Sequence, residues 1–276
     1  MKYLPRRPRT NVNVTPTSPL RDFFFMLGGL ILALMVTYAL LGVLVDFIAL
    51  RISPAMERNL SGFLGRVNGA VPSSSAEGMA LQMIVDKMQQ QCIDLPYTLQ
   101  VEVADSDLIN ALALPGGRIV VFSGLLEEAQ SENELVFVLS HEMGHFFNRD
   151  HLSGLGRGLV FMLLSVSIFG PDSMVGEKIG SLLKVSEFRF SRKHETMADE
   201  YALDALNCYY GHVAGATSFF KHTSTVEEKK FTGHYLSTHP LSDQRIARLV
   251  EWAEEKGFKQ TGELVPFMLS ETVHKD

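Results

Sequence analysis

The chain has 276 residues, of which 46% are hydrophobic and 20% charged, with a formal net charge of −6 at pH 7. This length allows one large or two small domains, and the acidic balance gives no sign of nucleic-acid binding. The only two cysteines, Cys92 and Cys208, exclude a disulfide-rich scaffold and a cysteine-rich zinc site. We expect two buried or free thiols; one disulfide between them is the alternative in an oxidising compartment.

The N-terminal region predicts a membrane anchor. A basic tail over residues 1–22 precedes Phe23–Val45, a stretch of 23 residues without a charged side chain. Such a helix spans a hydrocarbon core of about 30 Å, and it is too long for the apolar region of a cleaved signal peptide. A buried core helix is the other alternative. Five Lys or Arg side chains precede the span and three follow it, so we expect a cytoplasmic N-terminus and the bulk of the chain across the membrane.

The remaining sequence predicts mainly helices. Residues 46–78 are typical of a juxtamembrane helix and linker, and residues 257–276 of a C-terminal tail. A helix over Met79–Gln91 and a strand over Tyr97–Val103 are followed by a β-hairpin, Leu108–Leu114 and Arg118–Ser123, around Pro115-Gly116-Gly117. Further helices are predicted over Ser131–Leu152, Leu155–Gly170, Val175–Cys208 and Ser242–Lys256. The apolar stretch 155–170 is short for a span, so we expect a core helix or one lying on the membrane surface.

The predicted helix Ser131–Leu152 contains an H-E-x-x-H run, His141-Glu142-Met143-Gly144-His145. Two histidines four residues apart project from one face of a helix. Both imidazoles can then bind one zinc ion, with the glutamate beside the metal as general base. The run therefore predicts a metallopeptidase site.

A catalytic zinc ion needs a third protein ligand, and the residues offer two candidates. His151 completes the metzincin spacing, with Asn148 where that motif carries a glycine in a turn. Glu195 lies in another predicted helix, and Asp199 follows it by four residues on the same face. One of these carboxylates could bind zinc while the other accepts the second ring N–H of a ligand histidine.

Four ordered elements together resemble a known family. Before H-E-x-x-H, Asn110–Ile119 contains N-A-x-x-x-P-G-G. After it, Ser191–Asp199 has the pattern S-R-x-x-E-x-x-A-D, and His239-Pro240 is followed by Arg245-Ile246. Over roughly residues 79–255 the chain resembles the membrane-associated gluzincins, the zinc metallopeptidases of the HtpX, CAAX prenyl protease, Oma and BepA types. The resemblance implies an α+β, mainly α fold. A gluzincin-type metallopeptidase domain over residues 79–256, with a small β-sheet beside the zinc helix, would follow one transmembrane helix.

The resemblance also implies how the metal is held. It implies one Zn²⁺ per chain bound by His141, His145 and Glu195. Asp199 would accept a hydrogen bond from the second ring N–H of a ligand histidine. We expect Arg192 to pair with the carboxylates. His151 is then not a metal ligand, and we expect its side chain to be solvated at the end of a helix.

Two further residues receive roles through the resemblance, and two segments near them are expected to serve the site. His239 would stabilise the oxyanion or act as a fourth ligand that gates the site; a structural histidine is the alternative. Asn110 would hold a substrate carbonyl, or be a plain turn residue. Arg118–Ser123 is expected to be an edge strand to which an extended substrate adds. Residues 222–238 would be a mobile segment before His239.

The expected function is that of a membrane-anchored zinc endopeptidase. It would hydrolyse misfolded or mislocalised proteins by a zinc-activated water, with Glu142 as general base. The alternatives are a protease-like chaperone or adaptor with a zinc site plugged by His239, and a metzincin-like peptidase that uses His151. We expect a single-pass protein of a bacterial inner membrane with a periplasmic catalytic domain, an organelle inner membrane being the alternative. Its partners would be unfolded or extended protein substrates and the membrane, with no nucleic acid; the oligomeric state is left open.

Overall fold

The computed structural model describes residues 18–64, 70–72, 75–170, 191–221, 239 and 243–267. The helices are α1 (Pro19–Ala49), α2 (Pro54–Leu64), α3 (Ala76–Gln91), α4 (Ser123–Glu128), α5 (Glu132–Asn148), α6 (Asp150–Phe169), α7 (Arg192–Tyr210) and α8 (Asp243–Glu255). The strands are β1 (Ala70–Pro72), β2 (Gln100–Ala104), β3 (Ala111–Leu114) and β4 (Arg118–Phe122). The prediction of a mainly helical α+β fold with one small sheet is therefore confirmed.

Some predicted features lie outside the described residues. These are the basic tail up to residue 17, most of the linker after α2, residues 171–190, the segment 222–238 and the end of the chain after residue 267. The predicted long helix Val175–Cys208 is described only from Arg192 onward, as α7.

α1 is a 31-residue helix that begins with a proline in its first turn, where a missing N–H costs no hydrogen bond. Its apolar side chains are exposed along most of its length. By length and composition α1 can cross a membrane, and so can α6. The exposure of α1 excludes the alternative of a buried core helix.

α6 packs along the C-terminal half of α1. Gly156 allows close contact, since a Cβ atom there would lie 2.5 Å from a methyl carbon of Val45. The outer face of α6 is exposed, with Leu163 and Ile168 among its uncovered side chains. The expectation of a core helix is therefore wrong, because α6 meets α1 rather than the domain interior. The contacts run in antiparallel order: Tyr38 with Phe161, Val45 with Gly156, and Asp46 with Arg157.

The sheet has the strand order β1-β2-β4-β3. β3 and β4 form the predicted antiparallel hairpin, and β2 pairs with β4 in parallel. Gly116 and Gly117 have φ values of 91° and 83°, which glycine adopts without strain. β4 therefore lies between two partners, and the expectation that it is an edge strand is wrong. Among the described strands, β3 forms that edge.

The core lies between the sheet and helices α3, α5 and α7. The Ser131 hydroxyl accepts a hydrogen bond from the Glu134 N–H at 3.3 Å and so caps the start of α5. The described part of the predicted C-terminal tail packs against this end of α5. There the Glu132 N–H donates to the Val265 carbonyl at 2.8 Å, and the Val265 N–H donates to the Asn133 side chain at 2.9 Å.

α5 ends at Asn148 and is followed at once by α6 through a single left-handed residue, Arg149, with φ 63° and ψ 22°.

 The predicted helix Ser131–Leu152 is thus two helices, and the change of direction occurs at Arg149 rather than at Asn148. A non-glycine residue in this conformation is strained unless its surroundings hold it. The Arg149 guanidinium donates to the Ile52 carbonyl at 2.8 Å, and this contact helps to hold the bend.

A disulfide joins Cys92, after the end of α3, to Cys208 near the end of α7. The expectation of two buried or free thiols is therefore wrong. The two residues are separated by 116 positions in the sequence, and the packing of α3 against α7 brings them together. Spacing in the sequence cannot show such a pairing.

We predict that removing this bond lowers the free energy of unfolding by about 2–5 kcal/mol, because the unfolded chain regains the freedom of a long loop. The measurement is denaturant unfolding of the full chain in detergent, for wild type and for Cys92→Ser with Cys208→Ser. A reductant should lower the wild-type midpoint and leave the double variant unchanged. Equal midpoints for the two proteins without reductant would contradict the prediction.

Candidate metal centre

α5 and α7 bring the predicted metal-binding residues together. α5 carries His141, Glu142 and His145, and all three side chains are fully buried. The helices touch where Gly144 meets Ala198, since a Cβ atom on Gly144 would lie 2.9 Å from the Ala198 Cα. This contact requires glycine and brings the carboxylate-bearing face of α7 against the histidines.

Four buried side chains converge at this contact: His141, His145, Glu195 and His239. One ligand atom from each lies within 4.8 Å of the others. Nε2 of His141 is 3.4 Å from Oε2 of Glu195, and Nε2 of His145 is 3.7 Å from Oε1 of Glu195. The structure therefore places the three predicted ligands, and His239 with them, around one point.

The spacing of these atoms fits a small divalent metal ion. A tetrahedron with metal–ligand bonds of about 2.0–2.1 Å has edges of about 3.3–3.4 Å. Nδ1 of His239 lies 3.2 Å from Nε2 of His141 and 3.1 Å from Oε1 of Glu195, which is close to such an edge. Imidazole nitrogen and carboxylate oxygen are also the donors that zinc takes in catalytic sites.

Both α5 histidines are oriented by carboxylates that contact the ring nitrogen Nδ1, on the side away from the other ligands. Nδ1 of His141 lies 3.0 Å from Asp199, and Nδ1 of His145 lies 2.9 Å from Asp150. A carboxylate accepts a proton donor at Nδ1, which leaves Nε2 of each ring as the ligand atom. Asp199 lies where the resemblance implies it. Asp150 was missed, although its place five residues after His145 was visible in the sequence.

Arg245, not Arg192, pairs with the carboxylates of α7. Its guanidinium donates two hydrogen bonds of 2.7 Å to Asp199 and lies 2.9 Å from Glu195. It also donates to the His239 carbonyl at 3.2 Å. Arg192 is exposed at the start of α7, so the expected role of Arg192 is corrected. Arg245 was visible as part of the motif after His239, but the motif gave no role for it.

Burial and neighbouring charges set the proton affinities of the cluster. Burial raises the pKa of the Glu142 carboxyl above its ordinary value, which favours a general base. Burial also opposes ionisation of Glu195, but electrostatic attraction to the neighbouring imidazole of His239 and a hydrogen bond with His141 hold its pKa well below the usual range. Burial would raise the pKa of Asp199 too, yet its bonds with His141 and Arg245 lower it. Glu195 and Asp199 are therefore carboxylates, as a ligand and its supporting group must be.

His239 links the metal cluster to the expected general base. Its Nδ1 lies among the ligand atoms, and its Nε2 lies 3.5 Å from Oε1 of Glu142. The ring is fully buried. The neighbouring residues 222–238 and 240–242 lie outside the described part of the chain.

His151 is directed away from the metal cluster. Its Nδ1 faces the His145 carbonyl at 3.2 Å and its Nε2 faces Glu57 at 2.8 Å. The side chain is buried, so the expectation of a solvated histidine is wrong. The carboxylate of Glu57 and the end of α5 provide polar partners that make this burial tolerable.

Asn110 lies at the start of the edge strand β3. It is fully buried, and its side-chain oxygen accepts a hydrogen bond from the Ala111 N–H at 2.9 Å. The Glu142 pKa is raised mainly by burial, and the backbone N–H of Ala113 in the same strand opposes part of that rise. β3 therefore runs beside the expected general base.

The sequence profile described as "Peptidase family M48" matches residues 75–253, more than half of the chain. This chain belongs to peptidase family M48. The family assignment confirms the resemblance that the four motifs indicated. The matched region also covers strands β2, β3 and β4 and every residue of the metal cluster.

Relatives within this family include metallopeptidases of mitochondria and bacteria. The mitochondrial metalloendopeptidase OMA1 of Arabidopsis thaliana is 34% identical over 161 residues, which cover 55% of this chain and 31% of that protein. The metalloprotease LoiP of Escherichia coli is 26% identical over 193 residues, covering 68% of this chain and 75% of LoiP. The metalloprotease YcaL of the same organism is 24% identical over 194 residues, covering 66% and 72%. The M48 chain thus spans less than a third of the Arabidopsis relative and about three quarters of LoiP.

We predict that Arg245→Met lowers the free energy of unfolding by about 3–5 kcal/mol, because it leaves two buried carboxylates without their cation. The matched control, Arg192→Met, changes an exposed side chain and should stay within about 0.5 kcal/mol of wild type. Denaturant unfolding in the presence of a chelator measures both. Equal effects of the two variants would contradict the assignment of Arg245.

Proposed function

We propose that this chain is a membrane-anchored zinc endopeptidase that cleaves misfolded or mislocalised proteins. The observation that carries the proposal is the convergence of ligand atoms of His141, His145 and Glu195 within 4.8 Å of one another, near the buried carboxylate of Glu142. The family membership supports peptide-bond hydrolysis. The names of the relatives, metalloendopeptidase and metalloprotease, point the same way.

In this proposal the metal is held by His141, His145 and Glu195. Zn²⁺ bound there would act as a Lewis acid toward a peptide carbonyl and would acidify water enough for attack near neutral pH. Glu142 accepts the proton of the attacking water and later returns it to the departing amine. Its raised pKa makes it a better proton acceptor than an exposed carboxylate.

Other residues of the chain orient the reacting groups. Asp199 and Asp150 hold the two imidazoles so that Nε2 of each faces the metal position. His239, beside Glu142, donates a hydrogen bond to the negative charge that develops on the carbonyl oxygen. Asn110, at the start of β3, holds a substrate carbonyl.

The substrate adds to the edge strand β3 as an extended segment. β3 is the sheet edge next to α5, and its backbone acts on Glu142. Strand addition recognises the backbone rather than particular side chains. This mode suits unfolded chains of varied sequence, which is the substrate class that we propose.

The proposed location is a bacterial inner membrane, with α1 as the anchor and the catalytic domain in the periplasm. The length and exposure of α1 support the anchor, and the excess of basic residues before it supports the orientation. The Cys92–Cys208 disulfide supports an oxidising compartment.

We expect Glu142→Gln to lower kcat/KM for an unfolded substrate such as casein by about 10²–10⁴-fold, because the amide cannot accept the proton of water. Zinc content should stay at one ion per chain, since Glu142 is no ligand in the proposal. Glu127→Gln, on an exposed position of α4, is the matched control and should keep wild-type activity. Undiminished cleavage by Glu142→Gln would refute the mechanism.

A second function is favoured by the position of His239. Because its Nδ1 lies 3.1 Å from Glu195 and 3.2 Å from His141, it occupies the corner of the tetrahedron that a catalytic zinc leaves to water. A permanently filled corner would give a chaperone or adaptor that binds clients without cleaving them.

His239→Ala separates these functions. If His239 stabilises the transition state, its removal should lower kcat by about 10²–10³-fold, the usual cost of losing such a donor. An increase in activity would instead indicate a gating ligand. A wild type and a variant that both bind casein without cleaving it would favour the chaperone. The measurement is casein cleavage together with casein binding, at equal zinc content.

The orientation can be measured with protease added to spheroplasts and to inverted membrane vesicles. We expect digestion of the catalytic domain in spheroplasts and protection in inverted vesicles. Replacing the basic residues before α1 with glutamine should weaken this preference. The reverse pattern for the wild type would contradict a periplasmic domain.

A further inference from the structure

Glu57, in the helix that follows the membrane anchor, is completely buried. It lies outside residues 75–253, the part of the chain that matches the family. Only four residues separate α1 from α2, so this carboxylate lies close in the sequence to the end of the anchor. Burying a carboxylate is costly unless other groups compensate its charge.

Four separate parts of the catalytic domain contact this carboxylate. Tyr97 donates a hydrogen bond to Oε2 at 2.7 Å, and the Gly116 N–H donates to Oε1 at 2.8 Å. Nε2 of His151 lies 2.8 Å from Oε1, and the Arg149 guanidinium lies 3.3 Å from Oε2. One side chain thus joins α2 to the segment before β2, to the strand hairpin, to the bend between α5 and α6, and to the start of α6.

The bend is connected directly to the metal centre. Arg149 is the left-handed residue between α5 and α6, and its guanidinium donates hydrogen bonds to Glu57 in α2 and to the carbonyl of Ile52 just before α2. The next residue, Asp150, binds Nδ1 of His145 at 2.9 Å. Arg149 is therefore bonded directly along the backbone to the group that orients a metal ligand.

A second connection runs through His151. Its ring lies between Glu57 and the carbonyl of His145, at 2.8 Å and 3.2 Å. The Gly116 contact extends the same link to the turn between β3 and β4, where the edge strand ends. Glu57 therefore touches the supports of both the metal ligand and the proposed substrate strand.

We propose that Glu57 is a positioning residue, which fixes the bend at Arg149 and thereby sets the orientation of the metal ligand His145. The helix after the membrane anchor, α2, then helps to set the geometry of the metal centre in addition to connecting the domain to the anchor. This inference rests on the proposed function for its consequence in catalysis. The link to metal geometry can be measured without turnover.

The experiment uses the full chain in detergent, loaded with Co²⁺ in place of zinc. The visible absorption of Co²⁺ reports the geometry of its ligands. We expect Glu57→Gln to change this spectrum and to weaken Co²⁺ binding by about tenfold, the lower end of the effect of removing an outer support. Glu251→Gln, an exposed carboxylate of α8, makes the same chemical change and should leave both readouts unchanged.

A second variant covers the case in which Glu57→Gln does not fold. Arg149→Gly suits a left-handed backbone, and Glu57 keeps Tyr97, Gly116 and His151 as partners, so the variant should still fold while the link of the bend to Glu57 and Ile52 is lost. We expect the altered Co²⁺ spectrum and weaker Co²⁺ binding here as well. A wild-type spectrum and affinity in either folded variant would overturn the proposal, even if the melting temperature falls.

Casein cleavage measured in parallel separates this inference from the proposed function. A wild type that binds Co²⁺ and zinc but cleaves nothing would contradict the peptidase, while the spectra of the variants would still decide the role of Glu57. A wild type that cleaves casein, with variants whose spectra and affinities are unchanged, would contradict the role of Glu57 alone. A wild type that binds no Co²⁺ would overturn the role of Glu57 directly.

Discussion

The close contact of α5 and α7 at Gly144 and Ala198 is the constraint on which the metal centre depends. Glycine inside a helix costs about 1 kcal/mol relative to alanine, and here it permits an approach that a side chain would block. The approach brings Glu195 within 3.4 Å of His141. A wider separation would leave two histidines on one helix and a carboxylate on another, with no common point between them.

Charge balance then decides how the cluster is held. Three buried carboxylates, Glu195, Asp199 and Asp150, surround the two histidines of α5, and Arg245 offsets part of their charge. Buried charges are tolerated only when they are paired or bind a metal. An excess of carboxylates around imidazole nitrogens therefore favours a divalent cation. The same groups fix the rings, so stability and metal binding depend on the same contacts.

The sequence predicted what helical spacing and short motifs determine. Residues four apart share a helix face, which was enough for His141 with His145 and for Glu195 with Asp199. The choice of Glu195 over His151 came from the family resemblance, because spacing alone left both open. Long-range packing was not predictable: Glu57 meets His151 across 94 positions, and no periodic pattern marks such a pair. The edge strand was misassigned for the same reason, since strand order depends on the whole sheet.

The most direct measurement is the anomalous scattering of zinc in crystals of the full chain. The account predicts one zinc ion per chain, about 2.0–2.2 Å from Nε2 of His141, Nε2 of His145 and a carboxylate oxygen of Glu195. A zinc ion bound through His151, or stoichiometric zinc at a different site with this cluster unoccupied, would contradict it.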